Sequence, residues 1–357
     1  PTGFMALCAA NLTTPAADPA SEEGPENYFT NKLYTGDGEA TLTITGLEFQ
    51  PDFTWIKNRD AADSYCLFDS TRGVTKLLSS DDSAVESTDA DTLKSWTSDG
   101  FTVGADVKVN TNTEKYVSWN WKGGGASSSN GDGDVTTTVS ADTDRGFSVV
   151  KYTASGSSNT FGHGLGAVPD FIIQKNYSDT WNWRVYHKDL TSGYYLQLNG
   201  TNAQFSATEI TALSTTTVTL AGGGNFNYQA DDLNIMYCFA NKDGYSSFGS
   251  YEGNANADGP FVYTGFKPRL LVLKRIDGLG SWLVSDSARR PNNDGTYREL
   301  YWNSTSDEQT GADSHDGVNY FSNGFKLKAT NAGANGSGND YVYIAFAENP
   351  FKYATAF

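Results

Sequence analysis

Short runs in which apolar and polar residues alternate occur along the whole chain. In the run Thr41–Thr45 the apolar residues are every second one, and in the run Tyr116–Trp121 the residues Val117, Trp119 and Trp121 share one face. A two-residue period is typical of half-buried β-strands, and the Gly, Asn, Asp and Ser residues between the runs are typical of turns. No stretch of the sequence sustains the 3.6-residue period of a long helix. The pattern therefore predicts an all-β protein of antiparallel strands.

A motif that begins at a proline occurs three times, at Pro51, Pro169 and Pro268. A lysine follows six residues later, an aromatic residue fourteen residues later and a polar residue eighteen residues later. In the three copies these residues are Lys57, Lys175 and Lys274, then Tyr65, Trp183 and Trp282, then Asp69, His187 and Asp286. A fixed internal register of this kind predicts tandem copies of one unit.

The motif and the strand pattern together predict three tandem antiparallel β-sandwich repeats, jelly-roll-like, of about 100 residues each. We expect the repeats at residues 27–122, 146–243 and 244–357. Residues 123–145 are rich in Gly, Ser and Asp and predict a linker, which would let the first two repeats differ in orientation. Residues 1–26 are too short to form a core and are expected to be a segment and linker that follow an upstream domain.

The charge and cysteine content exclude several classes of function. A net charge of −17 argues against binding to nucleic acid and is consistent with a solvated acidic surface. Cys8, Cys66 and Cys238 are odd in number and scattered, so we expect no disulfide framework and a protein made in a reducing cytoplasm. No apolar run approaches the roughly eighteen residues of a membrane span, so no membrane insertion is expected.

The sequence motifs give no catalytic residue, metal site or cofactor. His163, His187 and His315 have no second His or Cys at the spacing of metal ligands. No Gly-x-Ser-x-Gly nucleophile motif is present in the sequence. We expect the polar residue eighteen positions after each proline to form hydrogen bonds at a strand end, and the repeated lysines to extend to the surface.

Large rings among Asn, Asp and Ser are the main candidates for ligand binding. The stretches Tyr177–Trp183 and Tyr297–Asn303 have this composition, which suits both sugar recognition and protein interfaces. Trp183 aligns with Tyr65 and Trp282 and is expected to lie in the core. The candidate ligand-binding residues are Tyr177, Trp181, His187, Trp302 and Asn303, with Trp181 and Trp302 the ones most free to face solvent.

The sequence of the first repeat, in Tyr34–Gly38 and Gly46–Asn58, resembles an uncharacterised repeat domain of tailed-bacteriophage virion proteins, many of them marine. Phe161–Gly166 and the ending Ala345–Lys352 resemble it as well, so the similarity covers about residues 28–355. In that family the domain commonly follows a SPRY or concanavalin-like β-sandwich, and Pro1–Leu7 resembles the end of one. The resemblance implies a place on a virion and transfers no activity to any residue.

These observations predict a non-enzymatic virion structural protein, assembled in the host cytoplasm, that forms the distal part of a tail fibre or similar appendage. The expected partners are other virion proteins and a host surface glycan. A homotrimer is expected, unless three copies in one chain mimic a threefold unit. The sequence leaves two further functions open, those of a capsid decoration or head-fibre protein and of a surface-glycan depolymerase. The parallel β-helix repeats usual in depolymerases are absent from the sequence.

Overall fold

A computed structural model describes residues 24–224, 226–291, 293–312 and 317–348. Strands make up 45% of the structure and helices 2%, which confirms the prediction of an all-β fold of antiparallel strands. Residues 1–23, which hold most of the expected N-terminal segment, together with Cys8 and His315, lie outside the described residues. Pro25–Asn27 form a short 3-10 turn before the first strand.

The strands fall into three segments that follow one another along the chain. Segment one contains β1 (Phe29–Thr35), β2 (Leu42–Thr45), β3 (Phe53–Asn58), β4 (Cys66–Asp69), β5 (Lys76–Leu77), β6 (Ser87–Thr88), β7 (Leu93–Thr97), β8 (Gly100–Val103), the single-turn helix α1 (Val107–Asn110) and β9 (Lys115–Trp121).

Segment two contains β10 (Ser128–Asn130), β11 (Thr137–Asp142), β12 (Phe147–Thr153), β13 (Asn159–Gly162), β14 (Phe171–Asn176), β15 (Arg184–His187), β16 (Tyr194–Gln197), β17 (Phe205–Ser206), β18 (Ile210–Leu213), β19 (Thr217–Leu220) and β20 (Leu233–Phe239). Segment three contains β21 (Ser246–Glu252), β22 (Phe261–Tyr263), β23 (Pro268–Arg275), β24 (Leu283–Asp286), β25 (Thr296–Tyr301), β26 (Gln309–Ala312), β27 (Val318–Phe321), β28 (Gly324–Leu327) and β29 (Asp340–Ala347).

The same strand order is found in the inner sheet of each segment. These sheets run β1-β9-β3-β4, β12-β20-β14-β15 and β21-β29-β23-β24, and segments two and three extend theirs by further strands at the edges. A three-stranded outer sheet accompanies each of them, in the orders β2-β8-β7, β13-β19-β18 and β22-β28-β27. The pairs Phe53–Trp121, Phe171–Phe239 and Leu270–Phe346 lie opposite one another at the same place in the three inner sheets, which defines equivalent positions.

The three inner sheets face one another around a single common core. Val117, Trp119 and Trp121 all point into it, as their alternation predicts. Rings from different segments meet there: Trp55 stacks on Trp302 with centroids 4.2 Å apart, and Phe53 stacks on Tyr237 at 4.3 Å. The other face of each inner sheet packs against its own outer sheet through a separate apolar cluster. Each segment therefore has its own inner and outer sheet, while the core between the inner sheets is shared.

The repeated lysines lie at the borders between segments, and the expectation that they extend to the surface is wrong. Lys57, Lys175 and Lys274 are fully buried. Lys175 donates to the carbonyl of Ser83 in segment one (3.2 Å), and Lys274 donates to the carbonyl of Asn202 in segment two (2.9 Å). An ammonium group can be buried where carbonyl oxygens accept its hydrogen bonds. Lys175 and Lys274 thus each join their segment to a neighbour, whereas Lys57 donates to the carbonyls of Asn58 (2.7 Å) and Ala61 (3.1 Å) within segment one.

The structure corrects the expectation of a linker at residues 123–145. This part of the chain contains β10 and β11, and β11 pairs with β12 along five residue pairs. The start of the stretch is also held, because the buried carboxylate of Asp52 accepts hydrogen bonds from the backbone N–H groups of Gly123 (2.8 Å) and Gly125 (3.3 Å). Together with the common core, these contacts fix segment two against segment one. The division into three repeats with the boundaries given above stays a prediction.

Candidate functional site

His187 is part of the contact between segments and does not face solvent. It is completely buried at the end of β15, where Nδ1 accepts a hydrogen bond from the N–H of Asp189 (3.2 Å). Its Nε2 therefore carries the proton and donates to the carbonyl of Tyr343 in segment three (3.2 Å). Burial lowers the pKa of His187 to about 4, so the ring is neutral near pH 7. The structure does not support His187 as a ligand-binding residue.

The equivalent positions explain why a histidine stands there. Asp69 accepts a hydrogen bond from the hydroxyl of Tyr237 (2.8 Å), and Asp286 accepts one from the indole N–H of Trp119 (3.2 Å). By strand register, the residue that faces His187 in the same way is Ile344, which has no side-chain donor. A carboxylate would lack its partner at that position, whereas an imidazole N–H can use the backbone carbonyl next to it.

Trp302 and Asn303 are likewise structural. Trp302 is 1% exposed and stacks on Trp55 in the common core, which corrects the expectation that it faces solvent. The side-chain oxygen of Asn303 accepts the N–H of Trp282 (2.8 Å) and so fixes the turn after β25. Both residues have polar neighbours in the sequence, as residues of a binding loop do, but in the fold the ring of Trp302 points into the core.

Tyr177 and Trp181 do lie together, in the loop that follows β14. Tyr177 is half-buried and packs against the common core, and burial raises the pKa of its hydroxyl to about 12. Trp181 is farther out, with its indole partly exposed, and the loop around it contains the exposed side chains of Asp179 and Thr180. Of the five candidate residues, Trp181 is the one that the structure places at the surface with a ring available for contact.

The ring of Trp181 is paired with Tyr228, a residue that the sequence reasoning missed. The two ring centroids are 4.8 Å apart and the rings are inclined by 50°. Tyr228 belongs to the loop between β19 and β20 and is 48% exposed. We call Trp181, Tyr228 and the exposed polar residues Asp179, Gln229 and Asp231 beside them in the two loops the aromatic platform. The only sequence signal for Tyr228 was that it follows Phe226 shortly after a run of three glycines.

Hydrogen bonds between the two loops hold the platform in place. The amide of Asn176 donates to Asp232 (2.8 Å), while its oxygen accepts from the N–H groups of Ser178 and Asp179 (both 3.0 Å). The hydroxyl of Ser178 accepts from the N–H of Leu233 (2.8 Å). Side chains that are fixed before a ligand arrives lose little entropy on binding, so this arrangement favours recognition.

A second exposed aromatic surface lies on the outer sheet of segment three. Phe261 and Phe321 meet edge to face at 6.0 Å, and Tyr263 beside them is 68% exposed. By register, the residues at these positions are Thr43, Thr45 and Thr97 in segment one. Lys326 lies opposite Phe261 in the sheet and pairs with Asp258, so the polar groups beside these rings already bind each other.

Across the part of the chain that the structure describes, no cluster of His, Cys, Asp and Glu has the geometry of a metal site. No helix within the same residues has the length and apolar character needed to span a membrane. Cys66 and Cys238 are buried free thiols, and burial raises the pKa of both, so they pack as small apolar residues.

Comparison with known proteins gives a family and no activity. No curated protein matches the chain. Residues 24–350 match the DUF7483 family, which is described as a domain of unknown function, and this range includes all three segments. The chain belongs to the DUF7483 family.

Proposed function

We propose that this protein is a non-enzymatic recognition module of a virion appendage and that its aromatic platform binds a host surface glycan. The observation that supports this most directly is the pair of partly exposed rings, Trp181 and Tyr228, held by two loops that are tied together. Sugar rings stack their C–H faces on aromatic side chains and bond their hydroxyls to neighbouring polar groups. Asp179 and Gln229 supply such groups beside the rings.

The architecture is consistent with a binding role. The closed arrangement of three segments around one core gives a rigid support, and rigid supports place loop residues more accurately than flexible ones do. The proposed partners are other virion proteins and the glycan. A homotrimer stays part of the proposal, and the internal arrangement of three segments supports the alternative that one chain provides a threefold unit by itself.

Binding is tested by screening the full chain against an array of bacterial surface glycans and measuring the dissociation constant of the best one by calorimetry. Loss of one stacking ring removes roughly 1–3 kcal/mol, judged by the stacking contributions measured for planar ligands. Trp181→Ala and Tyr228→Ala should therefore each weaken binding about 5- to 150-fold. Tyr263→Ala, which removes a more exposed ring from segment three, should leave binding unchanged. Equal losses in all three variants, or none in the first two, would refute the assignment to the platform.

The place on the virion is tested by gold labelling of purified particles with an antibody to this chain. Gold at the tips of appendages is the expected result. An even distribution over the head would instead support capsid decoration. Incubation with host polysaccharide should release no new reducing ends, and their appearance would support a depolymerase.

A further inference from the structure

A cleft of about 280 Å³ opens on segment two between its inner and outer sheets. One wall is the turn after β15, at Thr191 to Gly193, and the other is the edge strand β18 from Ile210 to Leu213. Tyr186 and Tyr194 also line it, as does Glu209. The cleft is separate from the aromatic platform, and Leu190 and Tyr194 in its lining pack in or against the common core.

The carbonyl group of Ile210 points to the side on which the cleft lies. The N–H of Ala221 donates to the carbonyl of Glu209 (2.9 Å), so Glu209 and Ala221 are a hydrogen-bonded pair of the antiparallel ladder. The next pair, Ile210 and Leu220, is then a non-hydrogen-bonded pair. Because β18 is an edge strand, the polar backbone groups of Ile210 are directed away from the sheet.

In the other two segments a donor from the facing turn reaches the equivalent carbonyl. In segment one the N–H of Thr75 donates to the carbonyl of Leu93 (3.0 Å). In segment three the guanidinium of Arg290 donates to the carbonyl of Val318 and to the side-chain oxygen of Asn319 (3.3 Å). Arg290 is 1% exposed, so its side chain fills the space between turn and strand.

Segment two has no residue of that kind at the equivalent place. Arg290 is the fourth residue after Asp286, and the fourth residue after His187 is Thr191. The side chain of Thr191 is too short to cross the gap, and its hydroxyl accepts from the amide of Gln204 (3.0 Å) at the rim. The cleft thus corresponds to the space that an arginine side chain occupies in segment three.

We infer that this cleft binds a guanidinium group, in the position that Arg290 takes in segment three. The carbonyl of Ile210 is the acceptor at its inner wall, and Tyr186 and Tyr194 line the cleft with aromatic rings, which attract cations. Glu209, which is 4% exposed, adds negative charge, and the net charge of −17 attracts cations from a distance.

Two cationic side chains near the cleft already have partners. Lys188 at the lip pairs with Asp170 (3.4 Å). Arg184 stacks on the ring of Tyr195 at 4.9 Å and donates to the carbonyl of Asn182 (3.5 Å). Neither of them takes the role that Arg290 has in segment three.

The test is a titration of the full chain with N-acetyl-L-arginine methylamide, followed through the NMR amide signals of Gly193 and Thr211. The matching citrulline derivative has the same shape but is uncharged, and the lysine derivative carries a cation without the planar fork of donors. We expect the arginine derivative to bind at least about tenfold more tightly than either, a difference of ~1.4 kcal/mol. Equal affinities for the arginine and citrulline derivatives, or no shift of these signals, would overturn the inference.

A variant provides the second readout. Thr191→Arg places an arginine where segment three has Arg290, so it should fill the cleft and abolish binding of the arginine derivative. Thr215→Arg makes the same change of charge in an exposed turn and should bind as the wild type does. If Thr191→Arg still binds with wild-type affinity, the site is elsewhere. The comparison with citrulline uses the wild type alone and stands even if the variant does not fold.

The source of the guanidinium is separated by one further titration, with free L-arginine. Its α-ammonium and carboxylate groups replace the two neutral amides of the capped derivative, so binding weaker than that of the capped derivative points to an arginine side chain of a polypeptide. Equal binding points to a free guanidino compound. Both results support the shared chemistry, and both are independent of glycan binding at the aromatic platform.

Discussion

Replacing Lys274 by methionine tests how a buried lysine joins segment three to segment two. The ammonium group donates to the carbonyls of Arg275 (2.6 Å), Asn202 (2.9 Å) and Thr201 (3.4 Å), the last two in segment two. A methionine of similar length leaves these carbonyls without a donor, at a cost of roughly 1–3 kcal/mol. We therefore expect Lys274→Met to lower the free energy of unfolding by about 2 kcal/mol near pH 7.

The pH dependence of this loss follows from the pKa of Lys274. Burial lowers it to about 7 in the folded protein from an ordinary value of 10.5. Between these values the unfolded chain holds a proton that the folded protein does not, so the free energy of unfolding rises with pH. From about pH 7 to about pH 9 the wild type gains ~2 kcal/mol from this residue, and the variant lacks that gain. The cost of Lys274→Met should thus grow to ~4 kcal/mol near pH 9.

The assay is urea unfolding of both proteins at several pH values, with the difference in free energy taken at each. Urea is preferred to guanidinium chloride, which would compete for the cleft on segment two. Contributions from Lys57, Lys175 and the cysteines are common to both proteins and cancel in the difference. Lys115→Met, at an exposed lysine, should change stability by no more than about 0.5 kcal/mol at any pH. A cost of Lys274→Met that stays constant or falls with pH would refute the reasoning, because the amine would then remain charged in the folded protein.

Two further sites of contact between segments give predictions. Trp302→Ala removes the ring that stacks on Trp55 and should cost about 3–5 kcal/mol in the same urea assay; a loss below ~1 kcal/mol would mean that the ring is not in the core. His187→Asp places a carboxylate against the carbonyl of Tyr343 and should cost roughly 3–5 kcal/mol, whereas His187→Asn keeps a donor and should cost less than half as much. Equal losses would show that the hydrogen bond is not the reason for a histidine there. The pKa of His187, lowered to about 4 by burial, means that the wild type should lose stability as the pH falls from 6.5 towards 4, and its NMR signals should not titrate near pH 6.5. A titration there would contradict its burial.

The sequence was sufficient to predict the strands but not to predict the contacts between residues that are far apart in the chain. Alternation identified the strands and the inward face of Val117, Trp119 and Trp121, because a two-residue period depends only on neighbouring residues. The partner of Trp302 is Trp55, almost 250 positions away, and no local pattern indicates such a contact. For the same reason, the sequence placed Trp302 at the surface.

In the candidate site, too, local features could be predicted from the sequence and long-range contacts could not. Trp181 was identified because its polar neighbours are adjacent in sequence. Tyr228 was missed because the hydrogen bond between Asn176 and Asp232, which brings the two loops together, spans 56 residues. The three lysine positions were recognised as equivalent. However, the local sequence of a lysine at the end of an apolar run is the same whether its ammonium group faces solvent or a buried carbonyl. The repeated motif therefore identified equivalent lysines but did not show that they are buried.

The contacts between segments form a closed cycle. We therefore expect the three segments to fold together, although each has the same strand order. Segment one contacts segment three through Arg59 and Glu308, segment two contacts segment one through Lys175 and Ser83, and segment three contacts segment two through Trp282 and Gln197. A single segment taken alone would expose the whole inner face of its sheet. Calorimetry of the intact chain should consequently show one transition whose van't Hoff and calorimetric enthalpies agree, and a chain shortened by one segment should aggregate instead of keeping two thirds of the stability.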